Sequence, residues 1–208
     1  MAEKTAKEVA GEAKAISIEL IKKLKELSGV GLTDAKKALV EAKGDFDKAL
    51  EAMRKKGLTK AEKRGDRETR EGVVDAYIHD GRLGAIVELN CETSFVAKTD
   101  EFRSLAHQIA MQVASMNPLY VSEADIPADV KEAKLKELEA NFKGPEKMKD
   151  QILEGQFKKA FAEKVLLSQP YILDDSKTVE QFIKESIAKT GENITVKQFK
   201  RIELGVTE

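Results

Sequence analysis

The spacing of apolar residues near the amino terminus predicts three short amphipathic helices. In the first of them, leucine and isoleucine residues recur at helical spacing: Leu20, Ile21, Leu24 and Leu27. Residues 1–15 are polar and rich in alanine. Because they contain little that a core would bury, we interpret them as a flexible tail. The pattern therefore predicts a compact three-helix domain over residues 16–57.

The ends of the second and third helices are marked by residues with known terminal preferences. Thr33 and Asp34 are expected to cap the second helix, and Gly44 is expected to close it in a left-handed conformation. Asp45 is expected to cap the third helix, and Gly57 to stop it.

Residues 58–71 are dense in charge and nearly devoid of apolar side chains. They are predicted to form an exposed linker or a solvated helix, because they cannot build a core. A basic patch for RNA is the alternative, but acidic residues interleave with the basic ones throughout. We therefore assign this segment no ligand.

The pattern changes after residue 72, where the composition becomes typical of β-strands. The segments VVDAYIH and RLGAIVELN are typical of strands, and Asp80-Gly81 between them is typical of a tight hairpin turn. Apolar residues then recur at helical spacing: Phe102, Leu105, Ala106, Ile109, Val113 and Met116. We expect this helix to lie on the sheet and to stop at Asn117-Pro118.

Residues 128–165 are predicted to form an antiparallel helical hairpin that projects from the core. Pro127 suits the start of the first arm, and Gly144-Pro145 forces the turn between the arms. The apolar positions of the two arms are Leu135, Leu138 and Phe142, then Leu153, Phe157, Phe161 and Val165.

The end of the chain predicts a further helix and a closing strand. Thr178 and Gln181 have the spacing of a capping box, and Gly191 should end the helix that they open. The segment NITVKQFKRIELG alternates well enough to complete a small, mainly antiparallel sheet. Residues 72–208 therefore form the predicted core domain, and the fold class is α+β.

The charge of the chain is high but balanced. Its 208 residues include 36 lysines and arginines against 37 acidic residues, for a net charge of -1. Direct binding of nucleic acid is not expected, because it requires a surplus of cations on one face. No apolar run resembles a signal peptide or a membrane span, so we expect a cytoplasmic protein with no membrane contact.

Enzyme signatures are absent from the sequence. It contains no phosphate-binding GxxxxGK[ST] loop, GxGxxG turn, GxSxG elbow or HExxH helix. His79 and His107 lack an evident nucleophile partner and are interpreted as structural or surface residues. The lone Cys91 ends an apolar strand and is interpreted as a small buried hydrophobe. We expect neither an enzyme nor a protein with a metal or cofactor of its own.

The segment ELNCETSFVAK departs from ordinary patterning, because it carries Phe95 and Val96 in a short polar turn between a strand and a helix. Phe95 either folds back into the core or projects as an apolar wedge for a partner's pocket. The pattern of residues leaves both readings open.

Two motifs of the sequence resemble signatures of the elongation factor Ts family. ELNCETSFVAK is similar to its core signature, and LKELSGVGLTDAKKAL is similar to its amino-terminal signature. The likeness extends from Ile18 to the terminal IAKTGENITVKQFKRIELG, and it is closest to the shorter branch, which has one core half. This resemblance implies a ubiquitin-associated-like amino-terminal domain, a projecting coiled coil and guanine-nucleotide exchange on elongation factor Tu.

The resemblance also implies which residues meet the partner. Thr93, Ser94, Phe95 and Val96 would form the loop that intrudes near the Mg²⁺ of elongation factor Tu, with Phe95 as the wedge. The factor itself needs no cofactor, because it acts on the GDP and Mg²⁺ that its partner holds. Ser94 stands where the family usually has Asp, and we expect that difference to matter little if the wedge dominates.

The amino-terminal domain, by the same resemblance, would dock on the GTPase through Val30, Gly31, Leu32 and Lys36. Packing within the domain is the alternative role of Val30 and Leu32. Likeness to the shorter branch also implies a homodimer, which would supply a second core half.

Two other classes of protein remain open at this stage. The first is a ubiquitin-associated-like binding module fused to a helical chaperone-type domain, which the amino-terminal helices alone permit. The second is an RNA-binding ribosome accessory protein, which the basic residues of the linker permit.

Overall fold

The structure is a computed structural model. It describes residues 16–28, 31–142, 144–145 and 148–206, with only the backbone at 54 and 58–60. Contacts divide the chain into two units, one with residues up to Glu68 and Lys184–Ile194, the other with Thr69–Ile183 and the remaining carboxy-terminal residues. The predicted tail falls outside the described residues.

The first unit contains helices α1 (Ile18–Ser28), α2 (Leu32–Glu41) and α3 (Phe46–Glu62). Their apolar stripes form one core, whose buried members are Ile21, Leu24, Ala35, Ala38, Leu39, Ala49 and Met53. The predicted three-helix arrangement is therefore confirmed. The limits predicted for each domain remain predictions.

The helix ends of this unit agree only partly with those predicted from the sequence. Gly44 has a φ of 81° and its amide bonds Leu39 O at 2.8 Å, so it closes α2 as predicted. Asp45 also caps α3 as predicted, because its carboxylate accepts from the Lys48 amide at 3.1 Å. The predicted cap of α2 is wrong, since the capping position is Gly31, which has no side chain to cap with, and Thr33 and Asp34 lie inside the first turn.

Helix α3 does not stop at Gly57, where the sequence predicted its end. It continues to Glu62, and Gly57 is buried. A β-carbon built on Gly57 would lie 3.2 Å from the Ala188 Cβ of the carboxy-terminal helix α8 (Val179–Thr190). Glycine therefore serves close helix packing here, and that contact supports the helix despite the low helical propensity of glycine.

The segment after α3 is tied to the carboxy-terminal part of the same unit. The side-chain amide of Asn193, which is 2% exposed, donates to Gly65 O at 3.2 Å and Arg67 O at 2.8 Å. The Lys184 ammonium lies 3.6 Å from a Glu62 carboxylate oxygen. Part of the charged segment is thus fixed by main-chain hydrogen bonds.

The second unit is built on the hairpin of β1 (Glu71–His79) and β2 (Leu83–Cys91). The strands pair antiparallel, from Glu71 opposite Cys91 to His79 opposite Leu83. Asp80 and Gly81 both adopt positive φ, 50° and 66°, which confirms the predicted turn.

Strand β5 (Ile194–Glu203) lies beside β2 and completes a three-stranded sheet in the order β1-β2-β5. The Leu204 amide bonds Arg82 O at 2.8 Å, and the Gln198 side chain bonds Glu88 at 2.8 Å. The residue number rises from Arg82, just before β2, to Glu88 within it, whereas that of the bonded partner falls from Leu204, just after β5, to Gln198 within it. This is the order of an antiparallel pair. The predicted α+β class with a small antiparallel sheet is confirmed.

Helix α5 (Asp100–Met116) packs on β1 and β2. The predicted stripe is buried except for Met116, which is 40% exposed, so that part of the prediction is wrong. Asn117 ends the helix in a left-handed conformation, with φ 46° and ψ 54°. We call the sheet face under α5 the inner face.

The projecting hairpin consists of α6 (Ala128–Ala140) and α7 (Lys149–Phe161). Its root is well buried, where Ile126, Phe161 and Val165 form a cluster, and Leu153 of the second arm is also buried. Leu135 is 38% exposed, so the first arm contributes less to the packing than its spacing predicted.

A short hairpin of β3 (Pro170–Tyr171) and β4 (Asp174–Thr178) was not predicted from the sequence. The fully buried side chains of Gln112 and Gln169 hold its start, since the Gln112 amide donates to Gln169 Oε1 and to Pro170 O, both at 3.1 Å. The predicted capping box of α8 is confirmed, because Thr178 and Gln181 exchange amide-to-side-chain bonds of 3.0 and 3.2 Å.

Candidate functional site: the loop after strand β2

The candidate loop begins where β2 leaves the sheet. After Cys91 the chain bends, and residues Ser94–Ala97 form the four-residue helix α4. Thr93 is its capping residue, with φ −129° and ψ 150°, and the Thr93 hydroxyl accepts from the Val96 amide at 3.4 Å. The sequence predicted only a polar turn here.

Phe95 projects from this short helix into solvent. Its side chain is 80% exposed, whereas the following Val96 and Ala97 are 7% and 6% exposed. A four-residue helix has an inner and an outer side, and Val96 and Ala97 occupy the inner one. Of the two readings that the sequence left open, the structure shows the projecting one.

The loop is fastened to its surroundings from both ends. At the start, the buried Cys91 thiol bonds Thr93 O at 3.2 Å. At the end, the Lys98 and Thr99 amides bond Phe95 O at 3.3 Å and Val96 O at 3.0 Å. An exposed aromatic ring is thus carried by a backbone whose turns are hydrogen-bonded.

Ser94 lies beside Phe95 and is exposed. As the first residue of α4 it presents a neutral hydroxyl, so the tip of the loop itself brings an aromatic ring but no negative charge. The nearest acidic residue in the chain is Glu92, at the bend that precedes the loop.

The residues assigned to the amino-terminal contact lie in the first unit. Val30 falls outside the described residues. Gly31 precedes α2, Leu32 is 49% exposed, and Lys36 is exposed one turn further on. Val40, at 56% exposure, continues the same helix face. Its four-residue spacing from Lys36 is the signal that would have identified it in the sequence.

The remaining candidates for chemistry do not form a reactive site. Both histidines lie near Tyr77, whose hydroxyl is 3.1 Å from His79 Nδ1, and His107 Nδ1 is 3.2 Å from an Asp75 oxygen. Both are surface residues, as predicted. Cys91 is fully buried, also as predicted.

The sheet face opposite α5, the outer face, is a feature that the sequence reasoning missed. Four aliphatic side chains on it are 46% to 76% exposed: Val74, Ile78, Ile86 and Ile202. The register places Ala76 opposite Ile86 and Ile78 opposite Gly84, which makes this part of the hairpin apolar, and it places Glu88 opposite Val74 on the same side. The unbroken apolar run at residues 85–87 was the available signal, since a solvated face normally interrupts such a run.

Two further kinds of feature are absent from the described part of the chain. No helix there is long and apolar enough to cross a membrane. Within the same residues, no group of three or more histidine, cysteine or acidic side chains is arranged to hold a metal ion.

Comparison with known proteins gives one consistent result. The sequence profile of the family described as elongation factor TS matches residues 2–206. The elongation factor Ts of Thermotoga maritima is 52% identical over 192 residues, covering 91% of this chain and 96% of that protein. Those of Thermoanaerobacter pseudethanolicus and Syntrophomonas wolfei are 47% and 46% identical over 194 residues, each covering 91% of this chain and 95% and 91% of the relative. Neither the chaperone-type reading nor the RNA-binding reading is favoured by these matches.

Proposed function

This chain belongs to the elongation factor Ts family, a family of guanine-nucleotide exchange factors acting on elongation factor Tu, and we propose that it releases GDP through the loop Thr93–Val96. Phe95 enters the GTPase near its nucleotide site and disturbs the contacts that hold Mg²⁺ and the phosphates. GTP then fills the vacated site and displaces the factor. The exchange takes place in the cytoplasm.

The exposure of Phe95 is the observation that supports this mechanism most directly. Full burial of a phenylalanine side chain is worth about 1.5–3 kcal/mol, and a side chain that is 80% exposed leaves most of that free energy unused. A partner pocket that accepts the ring recovers it. Aromatic anchors of this kind carry a large part of the binding energy at many interfaces.

Exchange by this route requires differential binding and no chemical step by the factor. A ligand shifts an equilibrium only by its difference in affinity for the two states, so the factor must bind the GTPase better without GDP than with it. The coupling is reciprocal, and GDP weakens the factor's binding as much as the factor weakens that of GDP. The ring of Phe95 is the group proposed to make that difference.

Ser94 is proposed to have a secondary role. If the apolar wedge carries most of the coupling, a carboxylate in place of the Ser94 hydroxyl changes the rate little. The Ser94→Asp variant is therefore expected to release GDP within about tenfold of the wild-type rate, which corresponds to less than about 1.4 kcal/mol.

The amino-terminal contact is proposed to orient the factor on the same GTPase. Gly31 is exposed, and a β-carbon built there would meet nothing within 4 Å, so this chain leaves the space beside it open to a partner. Leu32 and Lys36 add an apolar and a cationic side chain from the exposed face of α2. Together with Val30, they form the docking residues of the first unit.

A homodimer is also proposed, with the outer face of the sheet as its interface. Antiparallel sheets normally turn a polar face to water, whereas this one exposes Val74, Ile78, Ile86 and Ile202. Pairing with the same face of a second copy gives a two-sheet sandwich, which supplies the second core half.

The mechanism is tested by the release of fluorescent GDP from elongation factor Tu with Mg²⁺ present. We expect the wild-type chain to accelerate release strongly, and Phe95→Ala to lower the rate at saturating factor by about tenfold or more. Phe95→Leu, which keeps an apolar group, should give an intermediate rate. No acceleration by the wild type would contradict the exchange function, whereas equal rates for the wild type and Phe95→Ala would contradict only the wedge.

A further inference from the structure

The helix that carries Phe95 is joined to α5 by only two residues, Lys98 and Thr99. We infer that Thr99 is a positioning residue for Phe95, an inference that rests on the proposed function of the loop. It does not touch the partner in this mechanism. It sets the direction in which the ring projects by holding the end of α4 against the start of α5.

The Thr99 hydroxyl is engaged on both sides. It donates to Val96 O at 2.8 Å, and it accepts from the Phe102 amide at 3.3 Å. Val96 O also accepts from the Thr99 amide at 3.0 Å, so the first bond adds a second donor at the end of α4, and the second bond caps the first turn of α5. A single oxygen thus links the helix carrying Phe95 to the helix packed on the sheet.

Helix α4 depends on such links because of its length. A helix of four residues is far too short to be stable alone, since nucleation fixes several dihedral angles for one hydrogen bond. At its start the Thr93 cap is long, at 3.4 Å. At its end the Thr99 hydroxyl adds a bond of 2.8 Å to Val96 O.

Helix α5 is a firm support for this link. Phe102, whose amide meets the Thr99 hydroxyl, is 1% exposed. The helix itself packs on two strands of the sheet. Thr99 therefore fixes the orientation of Phe95 relative to α5, a well-packed helix of the second unit.

A fixed orientation matters for an aromatic group that must enter a pocket. Ordering a loop only on binding reduces the affinity that the contact yields, whereas a preorganised side chain avoids that loss. Without the Thr99 hydroxyl, α4 should fray from its end. Phe95 would then sample directions that do not fit the nucleotide site.

A double-mutant cycle on GDP release tests the inference, with Thr99→Val and Phe95→Ala as its two changes. Thr99→Val keeps the shape of the side chain but removes the hydroxyl. We expect it to lower the release rate at saturating factor by about fivefold when Phe95 is present and by less than about 1.5-fold in the Phe95→Ala background. Thr99→Ser, which keeps the hydroxyl, should restore the rate.

The matched control is Thr178→Val, which removes the hydroxyl that accepts from the Gln181 amide at the start of α8. It should lower the unfolding midpoint by a similar amount, because both changes remove a helix cap. It should leave GDP release and the amide hydrogen exchange of residues 93–98 unchanged, whereas Thr99→Val should speed that exchange.

The outcomes separate this inference from the function on which it rests. Equal losses of rate in Thr99→Val and Thr178→Val would reduce Thr99 to a stability role, and a loss that persists without Phe95 would show that Thr99 acts elsewhere. Either result overturns the inference while the wedge stands. If Phe95→Ala alone leaves release unchanged, the wedge fails first, and Thr99 has nothing to position.

Discussion

The inner and outer faces of the sheet differ in what covers them, although both carry large apolar side chains. On the inner face, under α5, Ala85, Val87, Leu89 and Cys91 are between 0% and 5% exposed. On the outer face, Val74, Ile78, Ile86 and Ile202 are 46% to 76% exposed. Strand alternation sorts side chains onto two faces, but it does not say which face the chain itself covers.

The difference shows that burial within one chain and burial between two chains produce the same pattern of apolar residues in a sequence. A strand with apolar residues on both faces is expected to be covered on both. Here α5 covers one face, and the proposed second copy covers the other. Each face can be disturbed separately, and the expected effects differ in kind.

The largest effect is expected from Phe102→Ala, which removes a large side chain from beneath α5. Truncation of a buried phenylalanine destabilises a protein by about 3–5 kcal/mol, through lost transfer free energy and the cavity left behind. Denaturant unfolding of the variant should show this loss. Phe95→Ala is the matched control, and because its side chain is solvent-exposed it should change the free energy of unfolding by less than about 0.5 kcal/mol. Similar losses in the two variants would mean that Phe95 packs in the core.

A smaller effect, and one confined to association, is expected from Ile86→Lys on the outer face. A lysine buried without a partner in the proposed interface should weaken dimerisation by about 100-fold or more, while the monomer keeps its stability because the charge is then in water. Sedimentation equilibrium across a concentration series measures the dissociation constant.

Ile86→Val is the control for this change, because it keeps the face apolar and should leave most of the association intact. A wild-type chain that stays monomeric at the highest concentrations would contradict the dimer. Equal affinity of the wild type and Ile86→Lys would place the interface on another surface.

The smallest effect is expected from Glu88→Gln, a change that tests where the same interface ends. The Glu88 carboxylate accepts from the side chains of Asn90 at 3.2 Å and Gln198 at 2.8 Å, at the polar end of the outer face. If that end forms the solvated rim, the change should alter the dimer dissociation constant by less than about twofold, as is usual for rim residues. A tenfold change would extend the buried interface over Glu88.

Local signals in the sequence predicted much of the fold. The cap at Asp45, the turn at Asp80-Gly81 and the capping box at Thr178 depend on residues close in the chain, and all are present. Gly57 was misread as a helix end because its packing partner, Ala188, is distant in the chain. For the same reason the buried pair Gln112 and Gln169 gave no sequence signal.

The sequence predicted where the candidate site lies in the chain, but not that Phe95 is exposed. The resemblance to a family singled out Thr93–Val96, yet periodicity alone favoured burial of Phe95 in the core and left the projecting orientation open. Its exposure follows from the burial of Val96 and Ala97 on the inner side of α4, which is decided by tertiary packing. The roles of these residues in partner binding, and of Gly31, Leu32 and Lys36, remain predictions.

The bonds from Asn193 to the carbonyls of Gly65 and Arg67 have a consequence for the order in which the protein matures during its own synthesis. The amino-terminal helices are synthesised before residues 69–183, but Asn193, which fastens the segment after α3, is synthesised after them. The unit that carries the proposed docking residues is therefore completed only after residues 69–183 have been synthesised, so a product that terminates before Asn193 lacks it in finished form.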